Sequence, residues 1–119
     1  MILLLDAQIA QLIENGRINN ERRNDGAEEV DFHPVVKLFT PDANATWLLT
    51  EIDPDTQDIA FGLCDLGLGF PELGCVTLSE IRAARGRLGL RVERDRHFKA
   101  KGPLSVYAEE AYQKGGIVA

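Results

Sequence analysis

Between residues 34 and 78 the chain runs through four short apolar stretches rich in β-branched and aromatic side chains: 34–40, 45–52, 59–66 and 73–78. The links between them are built from turn formers, namely Pro41-Asp42 with Asn44, the run from Asp53 to Asp58, and Gly67-Leu68-Gly69-Phe70-Pro71. A parallel return needs a crossover of about a dozen residues or more. Links this short therefore dictate antiparallel pairing of neighbours, a meander. With 119 residues in all, the chain reads as a single domain spanning 1–119.

Flanking segments change period. Leu5, Ile9, Leu12 and Ile13 recur at helical spacing behind Asp6, a natural N-cap, and Asn15-Gly16 reads as the left-handed stop. Residues 17–31 are polar and aperiodic and read as a flexible connection, with room for a helical extension. Ser79-Glu80-Ile81-Arg82 starts a short helix, with Ser79 or Thr77 near its N-cap, that ends near Gly86. Leu88, Leu90 and Val92 alternate with Arg87, Arg91 and Glu93, which predicts a further extended segment over 87–98. After Pro103, Leu104, Tyr107, Ala108, Ala111 and Tyr112 return to helical spacing, closed by Gly115-Gly116. The expected fold is α+β: a four- to five-stranded antiparallel meander sheet with the N- and C-terminal helices packed on one face.

Composition narrows the setting. The start, Met1-Ile2-Leu3-Leu4-Leu5, meets Asp6 at once and has neither the basic region nor the apolar length of a signal peptide. No window approaches the ~18 apolar residues of a membrane span. Two cysteines, Cys64 and Cys75, are too few for a disulfide scaffold and read as reduced, buried, small apolar residues. A cytoplasmic protein without a membrane partner is expected.

Several runs together resemble one bacterial family. They are Pro34-Val35-Val36-Lys37-Leu38-Phe39-Thr40-Pro41-Asp42, Thr46-Trp47-Leu48-Leu49-Thr50-Glu51, Phe61-Gly62-Leu63-Cys64-Asp65-Leu66-Gly67, Pro71-Glu72-Leu73-Gly74, Leu78-Ser79-Glu80 and Glu93-Arg94-Asp95-Arg96-His97-Phe98. In combination they are similar to the domain of unknown function DUF2958, over about residues 3 to 112. The resemblance implies a small bacterial protein associated with plasmids and other mobile elements. It supplies no catalytic residues to carry over.

Charge is unevenly placed. Residues 1–60 carry 12 acidic and 4 basic side chains, a net of −8, and residues 61–119 carry 7 acidic and 9 basic, a net of +2. Nine carboxylates between Asp25 and Asp58 face one cation, Lys37; eight cations between Arg82 and Lys101 face Glu93 and Asp95. Read functionally, the first run is an acidic docking surface and the second a phosphate-binding one, through Arg82, Arg85, Arg87, Arg91, Arg94 and Arg96. Read structurally, the two neutralise each other across the folded surface.

Local motifs offer little chemistry. On a strand, Glu93, Asp95 and His97 would share one face; Asp31, His33, Asp95 and His97 are the conceivable metal group, and with Glu93 the conceivable acid–base one. No ligand pair has the spacing of a helical metal site. Gly67-x-Gly69 lacks the third glycine and following helix of a dinucleotide loop, so it reads as a wide hairpin loop. That loop exposes Leu68, Phe70 and Glu72 as candidate partner contacts. Neither cysteine has a basic neighbour that would activate a thiolate. No catalytic residue, metal or cofactor is assigned. The leading expectation is a non-enzymatic binding or accessory protein acting through contact with another protein. Nucleic-acid binding through 82–101 is the first alternative, and an acid–base or metal enzyme at the His33/His97 group the second.

Overall fold

The computed structural model describes residues 2–119. The four apolar runs become β1 (Val36–Phe39), β2 (Thr46–Ile52), β3 (Ile59–Asp65) and β4 (Glu72–Thr77). Around them lie α1 (Asp6–Asn24), α2 (Leu78–Ala83), β5 (Glu93–Arg94) and α3 (Leu104–Lys114). Every strand pairing is antiparallel, and the sheet order is β4-β3-β2-β1-β5. The meander is as the links require, with β5 added on the outer side of β1. The α+β class holds.

The helices do not share a face. Trp47 and Leu49 of β2, with Val36, Leu38 and Ala60, pack against Leu12 of α1, Leu78 and Ile81 of α2, and Val92. Leu48, between them, points the other way and joins Leu63 and the α3 residues Leu104, Ala108 and Ala111. Successive strand residues face opposite sides. The unbroken buried run from Trp47 to Thr50 therefore needs cover on both faces. The N-terminal helix and α2 supply one layer and the C-terminal helix the other.

Helix α1 corrects two local expectations. Leu5, not Asp6, is its N-cap, with the Gln8 side chain accepting the Leu5 N–H at 2.9 Å. Asn15-Gly16 does not end it. The helix crosses the backbone of β2 so closely that a Cβ on Gly16 would lie 2.0 Å from the Ile52 carbonyl oxygen. Glycine is needed there for approach rather than for a turn. The stop comes ten residues later at Gly26 (φ 70°), where Ala27 N–H reaches Arg22 and Gly26 N–H reaches Arg23, a Schellman ending.

At that crossing β2 carries a bulge, because the register slips between Leu49 and Glu51. β1 has already ended there, its last pair being Val36 with Leu49. Two asparagines of α1 take over the polar work. Asn15 Nδ2 donates to the Thr50 carbonyl at 3.0 Å. Asn19 donates to Glu51 (2.9 Å) and to the Val30 carbonyl (3.0 Å), and accepts the Val30 N–H (2.7 Å). The connection after α1 is thereby tied to the helix, and Asp31 ties it onward by accepting the Ser105 N–H at 3.2 Å in the first turn of α3.

The extended segment expected over 87–98 shrinks to the two residues of β5. Residues 85–91 form a loop closed by a single Arg85–Arg91 bridge, with Gly89 at φ 78°. Leu88 and Leu90 alternate as a strand would, but no strand lies beside them. After β5, Asp95 caps its own turn by accepting the His97 N–H at 2.9 Å. Glu93, Asp95 and His97 therefore do not share a strand face. Helix α3 ends where expected, at Gly115 with φ 73°.

Candidate functional site

The meander sends alternate connections to opposite ends of the sheet. Residues 40–45 and 66–71 turn at one end, and the 85–91 loop arrives at the same end. Asp42 binds the 40–45 turn to the 85–91 loop. Its Oδ2 accepts Leu88 N–H (2.6 Å) and Leu90 N–H (3.3 Å), and its Oδ1 is buried without a hydrogen-bond partner. Gly86 sits against this carboxylate so closely that a Cβ there would fall 1.6 Å from Oδ1.

The 66–71 loop is held by Asp65, a buried carboxylate at the end of β3. It accepts Gly67 N–H at 2.8 Å and, through its other oxygen, Ile117 N–H at 2.9 Å. Gly67 (φ 78°) turns the chain hard against Asn44, where a Cβ would lie 2.7 Å from the asparagine Cβ. These contacts fix the loop with its apolar side chains outward. Phe70 is 78% exposed, Leu68 73% and Leu88 81%, with Leu66 and Leu90 also open to solvent. A recess of about 450 Å³ lies among Asp42, Asn44, Leu66, Leu68 and Arg87.

Leu68 and Phe70 thus stand where the sequence puts them, on the hairpin loop. Glu72 lies just beyond, exposed, as the first residue of β4. Leu66, Leu88 and Leu90 belong to the same end of the molecule and were missed. The signal that could have found them is the leucine alternation over 88–92, which mimics a strand.

The arginines divide. Arg82, Arg85, Arg87 and Arg91 are exposed, and among the described residues none of them forms an ion pair with a carboxylate. Arg85 curls onto the carbonyls of Arg82 and Ala84 at 2.8 Å. Arg94 is turned inward, donating to the Ile2 (2.8 Å) and Leu3 (3.1 Å) carbonyls. Arg96 lies past β5, beside Lys37 and Phe39. The six do not make one phosphate-binding surface.

Nor do the acidic and basic runs neutralise each other by ion pairs. Among the described residues the pair that joins them is Lys37–Asp95 at 3.5 Å, the cation of the acidic run with a carboxylate of the basic one. The acidic run is not a continuous docking face either. Asp42 works at the loop end, whereas Asp53 accepts Thr56 N–H (3.2 Å) and Asp58 accepts Ser79 N–H (3.0 Å) at the opposite end. Asp31 is occupied at the start of α3. These carboxylates hold backbone donors at separate corners of the fold.

The proposed metal group does not assemble. Among the described residues no three His, Cys, Asp or Glu side chains could hold one ion. Asp31 is taken by Ser105, and Asp95 by Lys37 and its own turn. Hydrogen bonding from the His97 N–H, and then the Lys37 charge, hold the Asp95 carboxyl below its ordinary range. Together with His97, Phe98 and Tyr107 it lines a cleft of about 600 Å³ beside α3.

Cysteine chemistry is equally muted. Burial, with the nearby Cys75 and Glu72, pushes the Cys64 thiol up to about 11, the wrong direction for a nucleophile. Cys75, expected to be buried, is exposed on β4, because β4 is the outermost strand.

No helix is long and apolar enough to cross a membrane among the described residues. No curated protein and no solved structure matches the chain. A family model described as a protein of unknown function, DUF2958, matches residues 3–118, so the chain belongs to the DUF2958 family.

Proposed function

We propose that this protein is a non-enzymatic binding module that grips a partner protein with the loop end of its sheet. The observation that carries the reading is the cluster of Leu66, Leu68, Phe70, Leu88 and Leu90, exposed on two loops, one held by Asp65 and the other by Asp42. Water-exposed apolar side chains on a mobile loop would collapse onto the protein. Here they are held out by carboxylates that grip the loop backbone, at a cost in hydration that a bound partner removes.

Arg87 lines the recess at this end, Arg85 and Arg91 are exposed on the same 85–91 loop, and among the described residues none of them pairs with a carboxylate. The partner segment that fits carries apolar side chains among acidic ones. Its apolar groups would cover Phe70 and the leucines, and its carboxylates would meet the arginines at the rim. The reading includes a cytoplasmic setting, which two unpaired cysteines suit. It also includes the mobile-element association that the family resemblance implies.

The test is a photo-crosslinking residue placed at Phe70, and in a second variant at Glu109 on α3, in cells of the native host. The reading requires a discrete adduct from position 70, absent at 109, and lost in the Leu68→Asp/Phe70→Asp double variant while its circular dichroism stays native. No adduct at 70, or equal labelling at both positions, overturns it. A mobility shift with random DNA at low salt that disappears in Arg85→Ala/Arg87→Ala would instead assign this end to nucleic acid.

A further inference from the structure

The two edges of the sheet are finished differently. On one side β5 is two residues long and the chain turns away at Asp95. On the other, β4 is six residues long, pairs with β3 without a register slip, and has no strand beyond it. It contains no proline and no lysine, and its one charge, Glu72, is at its end. Natural sheets usually blunt such an edge with bulges, prolines or inward charges. This one is open.

The ladder reveals which groups face outward. Just past β4, Leu78 N–H donates to the Asp58 carbonyl at 2.7 Å, in register with the Ile59–Thr77 and Ala60–Val76 pairs. Antiparallel pairs alternate between hydrogen-bonded and not. Glu72, Gly74 and Val76 therefore bond to β3, and Leu73 and Cys75 present both their N–H and C=O groups to the free side. Thr77 presents its N–H there, while its carbonyl, as the N-cap of α2, already accepts one helical bond and keeps one lone pair.

We infer that β4 pairs with β4 of a second copy of this chain, antiparallel about a twofold axis, joining two sheets into one. The register follows from the outward groups. With Cys75 opposite the second copy's own residue 75, position 73 meets 77 and 77 meets 73, so the two Cys75 residues exchange both bonds, each Thr77 N–H meets a Leu73 carbonyl, and each Leu73 N–H meets the remaining lone pair of a Thr77 carbonyl. Shifting the axis to Gly74 would set Thr77 against Pro71, which has no N–H to give. Shifting it to Val76 would carry Leu73 past the partner strand onto Ser79 of α2. The charge pattern agrees, since Glu72 then faces the neutral position 78 and no like charges meet. This surface is separate from the apolar loop end, so either can fail alone.

Sedimentation across a range of concentrations tests the pairing. Wild type should pass from monomer to dimer, and amide exchange at Leu73, Cys75 and Thr77 should slow as it does, while exchange at Asp55 and Gly89 does not change. A short thiol-to-thiol crosslinker should yield a dimer through Cys75, lost in Cys75→Ser with the association intact. Cys75→Lys, which sets two ammonium groups face to face, should weaken association at least tenfold. Cys75→Pro, which removes one outward donor, should do the same. Should the proline variant not fold, the lysine one carries the test. A wild type that stays monomeric at the highest concentration, or a dimer that Cys75→Lys leaves untouched, overturns the inference.

Discussion

The two ends of the sheet use the same device to opposite effect. At both, a carboxylate accepts backbone N–H groups and fixes a turn. At the end holding residues 53–58, Asp53 and Asp58 close a polar turn and start α2, whose first turn is also capped by Thr77 accepting Glu80 N–H at 3.1 Å. At the other end, Asp65 and Asp42 do the same for loops that carry Leu66, Leu68, Phe70, Leu88 and Leu90 outward. One end is finished for water and the other is finished for contact. The difference lies in what the loops carry, since the means of holding them is shared.

Removing the clamp at the apolar end should cost most. Asp65→Ala strands two backbone donors, at Gly67 and Ile117, and each such loss costs about 1–3 kcal/mol. Urea unfolding should show a drop of about 3 kcal/mol. A value below about 1 kcal/mol would mean that the loops are not held as described. The polar end should give way less. Thr77→Ala removes one cap, worth about 1 kcal/mol, and the same measurement would show it as a modest shift in midpoint.

A subtler probe lies beside the polar end. Burial raises the pKa of Glu51 above its unfolded value, against the hydrogen bond from Asn19 that lowers it. Its contribution to stability is therefore full in acid and is lost as pH rises through the folded value. Glu51→Gln keeps an acceptor for Asn19 and removes the charge. The variant should be slightly more stable than wild type at neutral pH, and the gap should close as pH falls through the ordinary carboxylate range. A gap that widens in acid reverses the sign and the argument.

The smallest effect on folding belongs to the side chains proposed for binding. Leu68→Asp with Phe70→Asp alters groups already in water, so stability should change by less than about 0.5 kcal/mol. The same variant should abolish the adduct from position 70. Loss of folding together with loss of binding would mean that these residues belong to the core.

How far the sequence carried follows from where each signal is stored. The four strands of the meander were legible because alternation and turn residues are local. Leu68, Phe70 and Glu72 were legible because Gly67, Gly69 and Pro71 mark a loop. The extent of α1 was not, because Asn15-Gly16 spells a stop in local terms and its real purpose, passage over the Ile52 carbonyl, exists only after folding. Leu88 and Leu90 misled for the same reason. Their alternation is genuine, but the group that meets their N–H donors is Asp42, a carboxylate 46 positions earlier than Leu88. The placement of the helices on two faces was hidden in Leu48, one apolar residue inside a run where both neighbours already had a side to face.

Asn19 also decides where the chain tolerates change. By taking both backbone groups of Val30 it knots the chain at that point, so that residues 25–29 form a closed bight beyond the knot, held to the end of α1 by Ala27 N–H on the Arg22 carbonyl, Arg22 on the Glu28 carbonyl and Arg23 on Glu29. Extra residues spliced after Gly26, whose surroundings are empty, would give up the Ala27 bond to Arg22 and enlarge the bight, but would leave the Asn19–Val30 knot in place. Doubling its length costs only about 0.6 kcal/mol of closure entropy. This is the part of the chain where a tag, an epitope or a family-specific embellishment can be carried without disturbing either layer of helices.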